Sequence, residues 1–226
     1  LTGTPMPRSF SDLYNLFDFL WPSNELISSS EKIKGFVIDI YSVLSKPKVL
    51  YQDILSIKVE NEFLSRANTY SYNVGLTSLE IGANGDYTVK SSEALYTNSL
   101  MQSKLLLAYE ELAKGKKTLI FNNGIYTSKE VYYTFKKAGY NVQHLDNTAS
   151  KQDRKDILQW FHTTPDAVLS SVSILTTGFD EPSVESIILN RATRSLTLYF
   201  QMIGRGSRIY KDRKTFQVID LGNNMA

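Results

Sequence analysis

Between residues 99 and 222, short apolar runs alternate with longer stretches whose apolar residues recur at helical spacing. This alternation constrains the fold more than any other feature of the sequence. Strands that alternate with helices of about 10–12 residues build a parallel sheet with helices on both faces, so we expect an α/β fold. The predicted strands are 118–121, 141–145, 167–171, 186–190 and 215–221, and the predicted helices are 100–113, 128–138, 150–161 and 196–202.

Residues that start and stop helices support these boundaries. Ser150 and Ser195 each stand directly before a predicted helix, where a serine hydroxyl accepts a hydrogen bond from the first free backbone amides. Gly139 follows a predicted helix, a position that favours glycine because the backbone there is often left-handed.

The first 98 residues carry weaker patterns. Residues 11–20 have apolar residues at helical spacing, and 35–41 and 54–59 have strand character. Residues 68–95 are rich in Tyr, Ser, Asn and Gly, which predicts an irregular hairpin or linker with a turn at 82–86. The tyrosines of this segment could stack on bases, but packing within a small β element is the favoured interpretation.

Composition excludes several kinds of site. The 226 residues include no cysteine, which excludes disulfides and thiolate metal sites, and only two histidines, so no metal site is expected. The sequence has no apolar run of about 18 residues and no basic segment followed by an apolar one at its start. We therefore expect neither a membrane span nor a secretory signal. We expect the protein to be intracellular and cytoplasmic.

The net charge of +2 is unevenly distributed along the chain. Residues 1–95 carry a net charge of −3 and residues 96–226 carry +5, and seven basic residues but one acid lie between 191 and 214. A local basic cluster is typical of a surface that binds the phosphates of a nucleotide or a nucleic acid.

Residues 201–208 read Gln-Met-Ile-Gly-Arg-Gly-Ser-Arg and place two arginines three residues apart around a glycine-flanked turn, 204–206. A guanidinium group can bind two phosphate oxygens at once and keeps its charge at any ordinary pH. Arg205 and Arg208 are therefore candidate phosphate ligands, whose guanidinium groups we expect to face outward toward a partner surface. The alternative is two ordinary surface arginines on a solvated loop.

Residues 168–182 form a second candidate site, in which a buried strand runs into hydroxyl-bearing residues and then Gly-Phe-Asp. Hydroxyls and free backbone amides can bind phosphate, Gly178 permits close approach of the backbone, and the Asp180 carboxylate can accept from a ribose hydroxyl. Ligands of parallel sheets bind beyond the carboxyl ends of the strands, so we expect this loop and the Arg205 loop at that edge. The alternative for each hydroxyl is local capping of the backbone.

Four segments resemble motifs III, IV, V and VI of the superfamily 2 helicases, and they occur in that order. They are Leu-Thr-Gly-Thr-Pro at 1–5, Thr-Leu-Ile-Phe at 118–121, Thr-Thr-Gly-Phe-Asp-Glu-Pro at 176–182 and the segment at 201–208. The first is similar to the Snf2-related and phage-type branch, and the last two are similar to DEAD/DEAH-like helicases and restriction-enzyme motors. The resemblance implies a RecA-like sheet of the P-loop NTPase type, of which 99–226 is the second lobe.

The resemblance also implies roles for single residues. Arg208 resembles the arginine finger that reaches the γ-phosphate of ATP, Arg205 a second arginine facing the phosphates, and Gln201 a residue of the same cleft. Gly178 and Asp180 match the motif that contacts ribose.

Further roles implied by the resemblance concern nucleic acid and the coupling of the two lobes. Thr2 and Thr4 resemble hydroxyls that relay between the ATP site and the second lobe. Four residues are expected near the nucleic acid because of their place in these motifs: Ser171, Thr176, Phe121 and Asn122.

Two features of the family's first lobe are missing from this sequence: a phosphate-binding G-x-x-x-x-G-K-[ST] loop and an acidic pair for Mg²⁺. The segment 115–118, Gly-Lys-Lys-Thr, lacks the upstream glycine. We therefore expect 1–24 to be the tail of the first lobe, 25–98 a linker or insert, and 99–226 the second lobe. ATP and Mg²⁺ would be held mainly by the remainder of the first lobe, and the chain alone would hydrolyse no ATP.

The function implied by the resemblance is that of an ATP-dependent helicase acting on nucleic acid, with DNA favoured over RNA. Two alternatives stay open. One is a double-strand translocase, remodeller or restriction-complex motor that does not separate strands. The other is a non-enzymatic RecA-like module that binds nucleic acid.

Overall fold

A computed structural model describes residues 64–172 and 179–224 of the chain, and these residues form one parallel sheet with helices packed against it. The strands are β1 (Arg66–Ser71), β2 (Thr118–Asn122), β3 (Val142–Leu145), β4 (Val168–Val172), β5 (Ser186–Asn190) and β6 (Thr215–Asp220). The helices are α1 (Val89–Tyr96), α2 (Ser99–Leu112), α3 (Ile125–Lys137), α4 (Lys151–Thr163) and α5 (Leu196–Ile203).

The six described strands lie in the order β1-β6-β5-β2-β4-β3, and every neighbouring pair is parallel. All five strands predicted from the sequence are present, with ends that shift by one residue at most. The predicted α/β class, a parallel sheet with helices on both faces, is confirmed.

Alternating side chains of the central strands divide the interior into two cores. Ile120, Ile188 and Ile219 face one side, where they pack with apolar residues of α2 and α3. Their chain neighbours, such as Leu119 and Leu189, face the other side with residues of α4 and α5. The period of two along each strand therefore explains why both faces of the sheet are covered.

The predicted helix caps are confirmed. The Ser150 hydroxyl accepts from the amide of Asp153 at 3.1 Å, and the Ser195 hydroxyl accepts from the amide of Leu198 at 3.2 Å. Helix α3 begins at 125, three residues before the predicted start, because its cap, Gly124, contributes no side-chain hydrogen bond and leaves no capping signal in the sequence.

The expectation of irregular structure over 68–95 is wrong for two parts of that segment. Residues 68–71 belong to β1, which pairs with β6, and 89–95 lie within α1. Most β1 side chains are exposed at the edge of the sheet, so the sequence of this strand has no apolar pattern. Pairing with β6, and not the local sequence, determines that these residues form a strand. The predicted turn at 82–86 is confirmed, since the Gly82 amide donates to the Asp86 carbonyl at 2.8 Å.

Other expectations about the first 63 residues, namely a helix at 11–20 and strands at 35–41 and 54–59, lie outside the described residues. The division of the chain into three segments at 24 and 98 therefore stays a prediction.

The loop that follows α5 lies near the amino ends of the strands. Helix α5 starts shortly after the carboxyl end of β5 and runs back along the sheet. Its last residues therefore lie near the amino ends of the strands. There the Ser65 amide, which precedes β1, donates to the Ser207 carbonyl at 2.6 Å. The expectation that the Arg205 loop lies at the carboxyl edge is therefore wrong, because a helix of eight residues spans about 12 Å, the length of a short strand.

A chain of buried polar side chains crosses the sheet from β5 to β3. Neighbouring members lie 2.8–3.0 Å apart, and all except His144 are at most 4% exposed. The chain runs through Asn190, Asn122, Ser170, Ser128, His144 and Asp146. Because buried polar groups are costly without partners, these contacts specify how the strands align.

Gly206 is expected to be intolerant of any side chain. A β-carbon placed there would lie 2.3 Å from the Phe216 ring and 3.1 Å from Ile187, at the starts of β6 and β5. We predict that Gly206→Ala lowers the free energy of unfolding by roughly 1–3 kcal/mol, the usual cost of overpacking. The control is Gly75→Ala, where nothing lies within 4 Å. Equal urea midpoints for the two variants would contradict the packing argument.

Asp146 is predicted to stabilise the fold in a pH-dependent manner. Burial alone would raise the pKa of this carboxyl group, but hydrogen bonds from Thr148 and His144 outweigh burial and hold the pKa at about 2, below the ordinary 3.8. Its stabilising contribution is therefore complete above pH 4 or so and is lost as the pH falls toward about 2. Urea unfolding of wild type and Asp146→Asn should differ most near neutral pH and converge in acid. Asp166→Asn, which removes an exposed carboxylate bound to Asn141, is the control.

Candidate functional site

The arginine loop, defined here as residues 204–213, begins where α5 ends. Its first three residues form the predicted turn, in which the amides of Arg205 and Gly206 donate back to the carbonyls of Met202 and Ile203 at 3.2 and 3.0 Å. The Ser207 hydroxyl donates to the Gly204 carbonyl at 3.0 Å and closes the turn. The two arginines are thus carried by a locally rigid piece of backbone.

Arg205 points into the lobe. Only 4% of the residue is exposed, and its Nη1 donates to the backbone carbonyl of Phe179 at 2.6 Å. Burial lowers the pKa of this guanidinium group, although an arginine keeps its proton in such surroundings. The expectation that Arg205 faces outward is therefore wrong, and its contact ties the arginine loop to the segment that holds Asp180.

Arg208 is largely buried and forms an ion pair with Asp180. The Arg208 side chain is 13% exposed and the Asp180 side chain 51%, so the pair borders solvent on the carboxylate side. Burial lowers the pKa of the Arg208 guanidinium group as well. Arg208 does not extend freely outward as expected, but folds onto a carboxylate from the other predicted motif. The two candidate sites, far apart in sequence, therefore meet.

Arg213 was not predicted as a site residue, yet it holds the loop in place. Its Nη2 donates to the carbonyls of Pro182 and Arg208, both at 2.9 Å, and its Nη1 donates to the carbonyl of Val184. The Ser65 hydroxyl adds a donor to the Arg208 carbonyl at 3.0 Å. The basic cluster between 191 and 214 includes Arg213. Composition does not distinguish an arginine that binds backbone carbonyls of its own lobe from one that binds a ligand.

Three residues expected near nucleic acid are buried in the sheet. Phe121 is 1% exposed and belongs to the core that contains Leu119 and Leu189. Asn122 is fully buried and donates to the Ser170 hydroxyl, and the Ser171 hydroxyl donates to the Ile120 carbonyl at 3.3 Å. In this structure their side chains pack or bond within the sheet, and their expected place near nucleic acid stays a prediction.

The remaining predicted residues cannot all be placed. Gln201 is partly exposed on the last turn of α5, just before the arginine loop. Thr2, Thr4, Thr176 and Gly178 lie outside the described residues, and their roles stay predictions.

Within 64–172 and 179–224, no group of three or more His, Asp or Glu residues could hold a metal ion. No helix in the same part of the chain is long and apolar enough to cross a membrane.

Comparison with known proteins identifies the domain. Residues 100–210 match the family described as helicase conserved C-terminal domain. The 51.5 kDa protein of a Lactococcus phage (isolate 7-9) is 29% identical over 163 residues, which cover 72% of this chain and 35% of the phage protein. The Saccharomyces cerevisiae protein IRC3, described as an ATP-dependent helicase, is 24% identical over 177 residues, which cover 76% of this chain and 26% of IRC3. The chain thus spans about a third and a quarter of these two proteins.

Solved structures share the fold. A fragment from Vibrio vulnificus, described as an HsdR subunit of a type I restriction enzyme, has a TM-score of 0.58 at 21% identity, covering 75% of this chain and 34% of that one. The ATP-dependent type ISP restriction-modification enzyme LlaBIII, bound to DNA, has a TM-score of 0.52 at 16% identity, covering 73% of this chain and 12% of that one. Residues 100–210 are therefore the helicase conserved C-terminal domain of the superfamily 2 helicases, and the parallel sheet is that of a RecA-like lobe.

Proposed function

We propose that this chain supplies the second lobe of an ATP-dependent motor acting on nucleic acid, and that Arg208 is the residue that reaches the triphosphate. The observation that carries the proposal is the ion pair between Arg208 and Asp180. It brings the predicted phosphate ligand and the predicted ribose ligand into contact, on a domain whose family consists of helicases.

The pair suits a phosphate ligand for a simple electrostatic reason. A guanidinium group that binds a carboxylate offers the same donors to a phosphate oxygen, and charge-assisted bonds of either kind are strong. When a triphosphate displaces the carboxylate, Asp180 becomes free to accept from a ribose hydroxyl. A single exchange of partners would therefore engage both residues with the nucleotide.

During hydrolysis water would attack the γ-phosphorus while the bond to the β–γ bridging oxygen breaks, giving ADP and inorganic phosphate. Negative charge would build on the γ-phosphoryl oxygens and on the departing bridging oxygen. Arg208 would neutralise that charge, a contribution of about 10³–10⁵ in rate for arginine fingers in GTPases. Arg205 has a different role in this proposal. Because it is buried and bonded to the Phe179 carbonyl, it positions the segment that presents Asp180.

ATP would bind between this lobe and a first lobe, as ligands often do at domain interfaces. Mg²⁺, which neutralises phosphate charge when bound, would be held by that first lobe, as the resemblance to the helicase motifs implies. Closure of the two lobes would bring Arg208 to the triphosphate, and hydrolysis would reopen the cleft.

DNA is the proposed nucleic acid. Support comes from similar proteins, which include a restriction subunit, a restriction-modification enzyme bound to DNA and, at 29% identity over 104 residues, the UvrABC system protein B of Chlorobaculum tepidum. Contacts would go mainly to the phosphate backbone, which carries no sequence information.

Arg208→Ala is predicted to abolish turnover in the natural protein that contains this lobe. ATP hydrolysis stimulated by nucleic acid should fall by about 10³-fold or more, because the charge on the transition state loses its partner. Nucleotide binding, measured with a fluorescent analogue, should be largely retained. Unchanged turnover would reject the arginine-finger assignment.

Two controls sharpen this measurement. Arg66→Ala removes another arginine, with an exposed side chain on the edge strand β1, and should leave turnover unchanged. The 226-residue chain by itself should show no nucleic-acid-stimulated hydrolysis, since it lacks a phosphate-binding loop. Turnover by the pure chain would contradict the assignment of ATP to two lobes.

Translocation without strand separation is the second candidate, favoured by the structural similarity to restriction-enzyme chains. A strand-displacement assay and a triplex-displacement assay on the same duplex distinguish the two activities. A helicase releases a single strand in the first assay, whereas a double-strand translocase removes the third strand in the second and leaves the duplex intact.

A further inference from the structure

Residues 80–96, here called the rim strap, lie across the carboxyl ends of three neighbouring strands. After β2, the Asn123 side chain donates to the Ser92 hydroxyl at 2.8 Å. After β6, the Tyr96 hydroxyl donates to the Leu221 carbonyl at 3.1 Å, and Tyr96 is 1% exposed. After β5, the contact is made by Asp86. The rim strap is therefore anchored at all three strand ends.

Asp86 uses both carboxylate oxygens to hold the connection between β5 and α5. Its Oδ1 accepts from the amide of Arg194 at 2.8 Å, and its Oδ2 accepts from the Thr193 hydroxyl at 2.7 Å. Oδ2 also lies 3.7 Å from Nη2 of Arg191, whose side chain is only 6% exposed. A buried guanidinium group needs a negatively charged partner, so Arg191 requires a carboxylate at position 86.

These contacts continue directly into the start of α5. The Thr193 hydroxyl, which donates to Asp86, accepts from the amide of Ser195 at 3.1 Å. The Ser195 hydroxyl in turn caps the helix through the amide of Leu198. Asp86 therefore determines where α5 begins, and the opposite end of this eight-residue helix carries the arginine loop.

The rim strap also contacts the connection between β2 and α3. Glu93 Oε1 accepts from the amide of Tyr126 at 3.2 Å, in the first turn of α3. Gly124 leaves room for this contact, since a β-carbon there would lie 2.1 Å from the same carboxylate. The rim strap thus contacts both the loop that follows residues 118–121 and the start of α5, the helix that precedes the two arginines.

We propose that Asp86 is a positioning residue for Arg208 and that Asp86 acts through the start of α5. The rim strap then connects the β2–α3 connection mechanically to the arginine loop. The catalytic part of this inference rests on the proposed function. Its structural part, that Asp86 holds the start of α5, does not.

The structural part is tested by hydrogen exchange on the full 226-residue chain. Asp86→Asn should accelerate exchange of the amides of Arg194 and Leu198 by about tenfold or more, while amides of β4 report any global loss of stability. Asp166→Asn removes an equally negative side chain at the other edge of the sheet and should change neither amide. Unaltered exchange at Arg194 and Leu198 in folded Asp86→Asn overturns the inference.

A second variant covers the case in which Asp86→Asn does not fold, since it strips Arg191 of its counter-charge. Thr193→Val keeps the ion pair between Asp86 and Arg191 and removes only the hydroxyl that links Asp86 to Ser195. It should accelerate exchange of the Leu198 amide, while the Arg194 amide keeps its bond to Asp86 and serves as the internal control. Protection of Leu198 equal to that of wild type would overturn the inference.

The catalytic part is measured in the natural protein. Asp86→Asn should lower kcat for ATP by about tenfold while KM for ATP stays within twofold, as expected when a residue acts on transition-state geometry rather than on binding. Asp86→Glu should restore part of kcat. An unchanged kcat overturns the coupling to Arg208. A wild-type protein with no turnover refutes the proposed function instead, and the exchange experiment still decides the placement of α5.

Discussion

The pairing of β5 with β2 on one side and β6 on the other is the interaction on which the rest of the structure depends. All five residues of β5 are buried, and its side chains alternate between the two cores. The segment 179–185, which holds Asp180, enters β5, and the connection held by Asp86 leaves it. Strand β5 pairs over all five residues with β2 and over Ser186–Leu189 with β6, so its two ends are fixed relative to each other. The Asp180 segment and the connection held by Asp86 are therefore attached to a rigid strand.

The two arginines of one motif experience different surroundings for reasons of local geometry. Arg205 follows the last turn of α5 directly and lies under the 179–180 segment, where the Phe179 carbonyl accepts a hydrogen bond from its guanidinium group. Arg208, three residues later, emerges where the backbone is held by Arg213 and Ser65, and meets a carboxylate that is half exposed. Sequence spacing therefore does not make the two guanidinium groups equivalent. One donates to a backbone carbonyl inside the lobe, and the other pairs with a carboxylate that borders solvent.

Most of the sheet could be predicted from the sequence, because its strands are apolar runs with helices between them, and Ser150 and Ser195 mark two helix starts. The edge strand β1 could not, since its exposed side chains carry no apolar pattern and its position comes from pairing with β6. The arginine motif was recognisable, but the edge on which it lies was not, because that depends on the direction in which α5 crosses the sheet. The side chains of Phe121, Asn122 and Ser171 are buried although their motifs are expected near nucleic acid, and that expectation stays a prediction. A motif identifies residues near a ligand without showing which of their atoms reach the surface.

The buried polar side chains between β5 and β3 have a consequence for how the chain folds. Asn122 pairs in register with Asn190, and each amide finds its partner only in that alignment. A slip of one residue would turn Asn122 to the opposite side of the sheet and leave several dry donors and acceptors unsatisfied, whereas an all-apolar interior would tolerate the error more readily. The polar groups therefore make a misaligned pairing of these strands costly, which favours the native register while the chain folds.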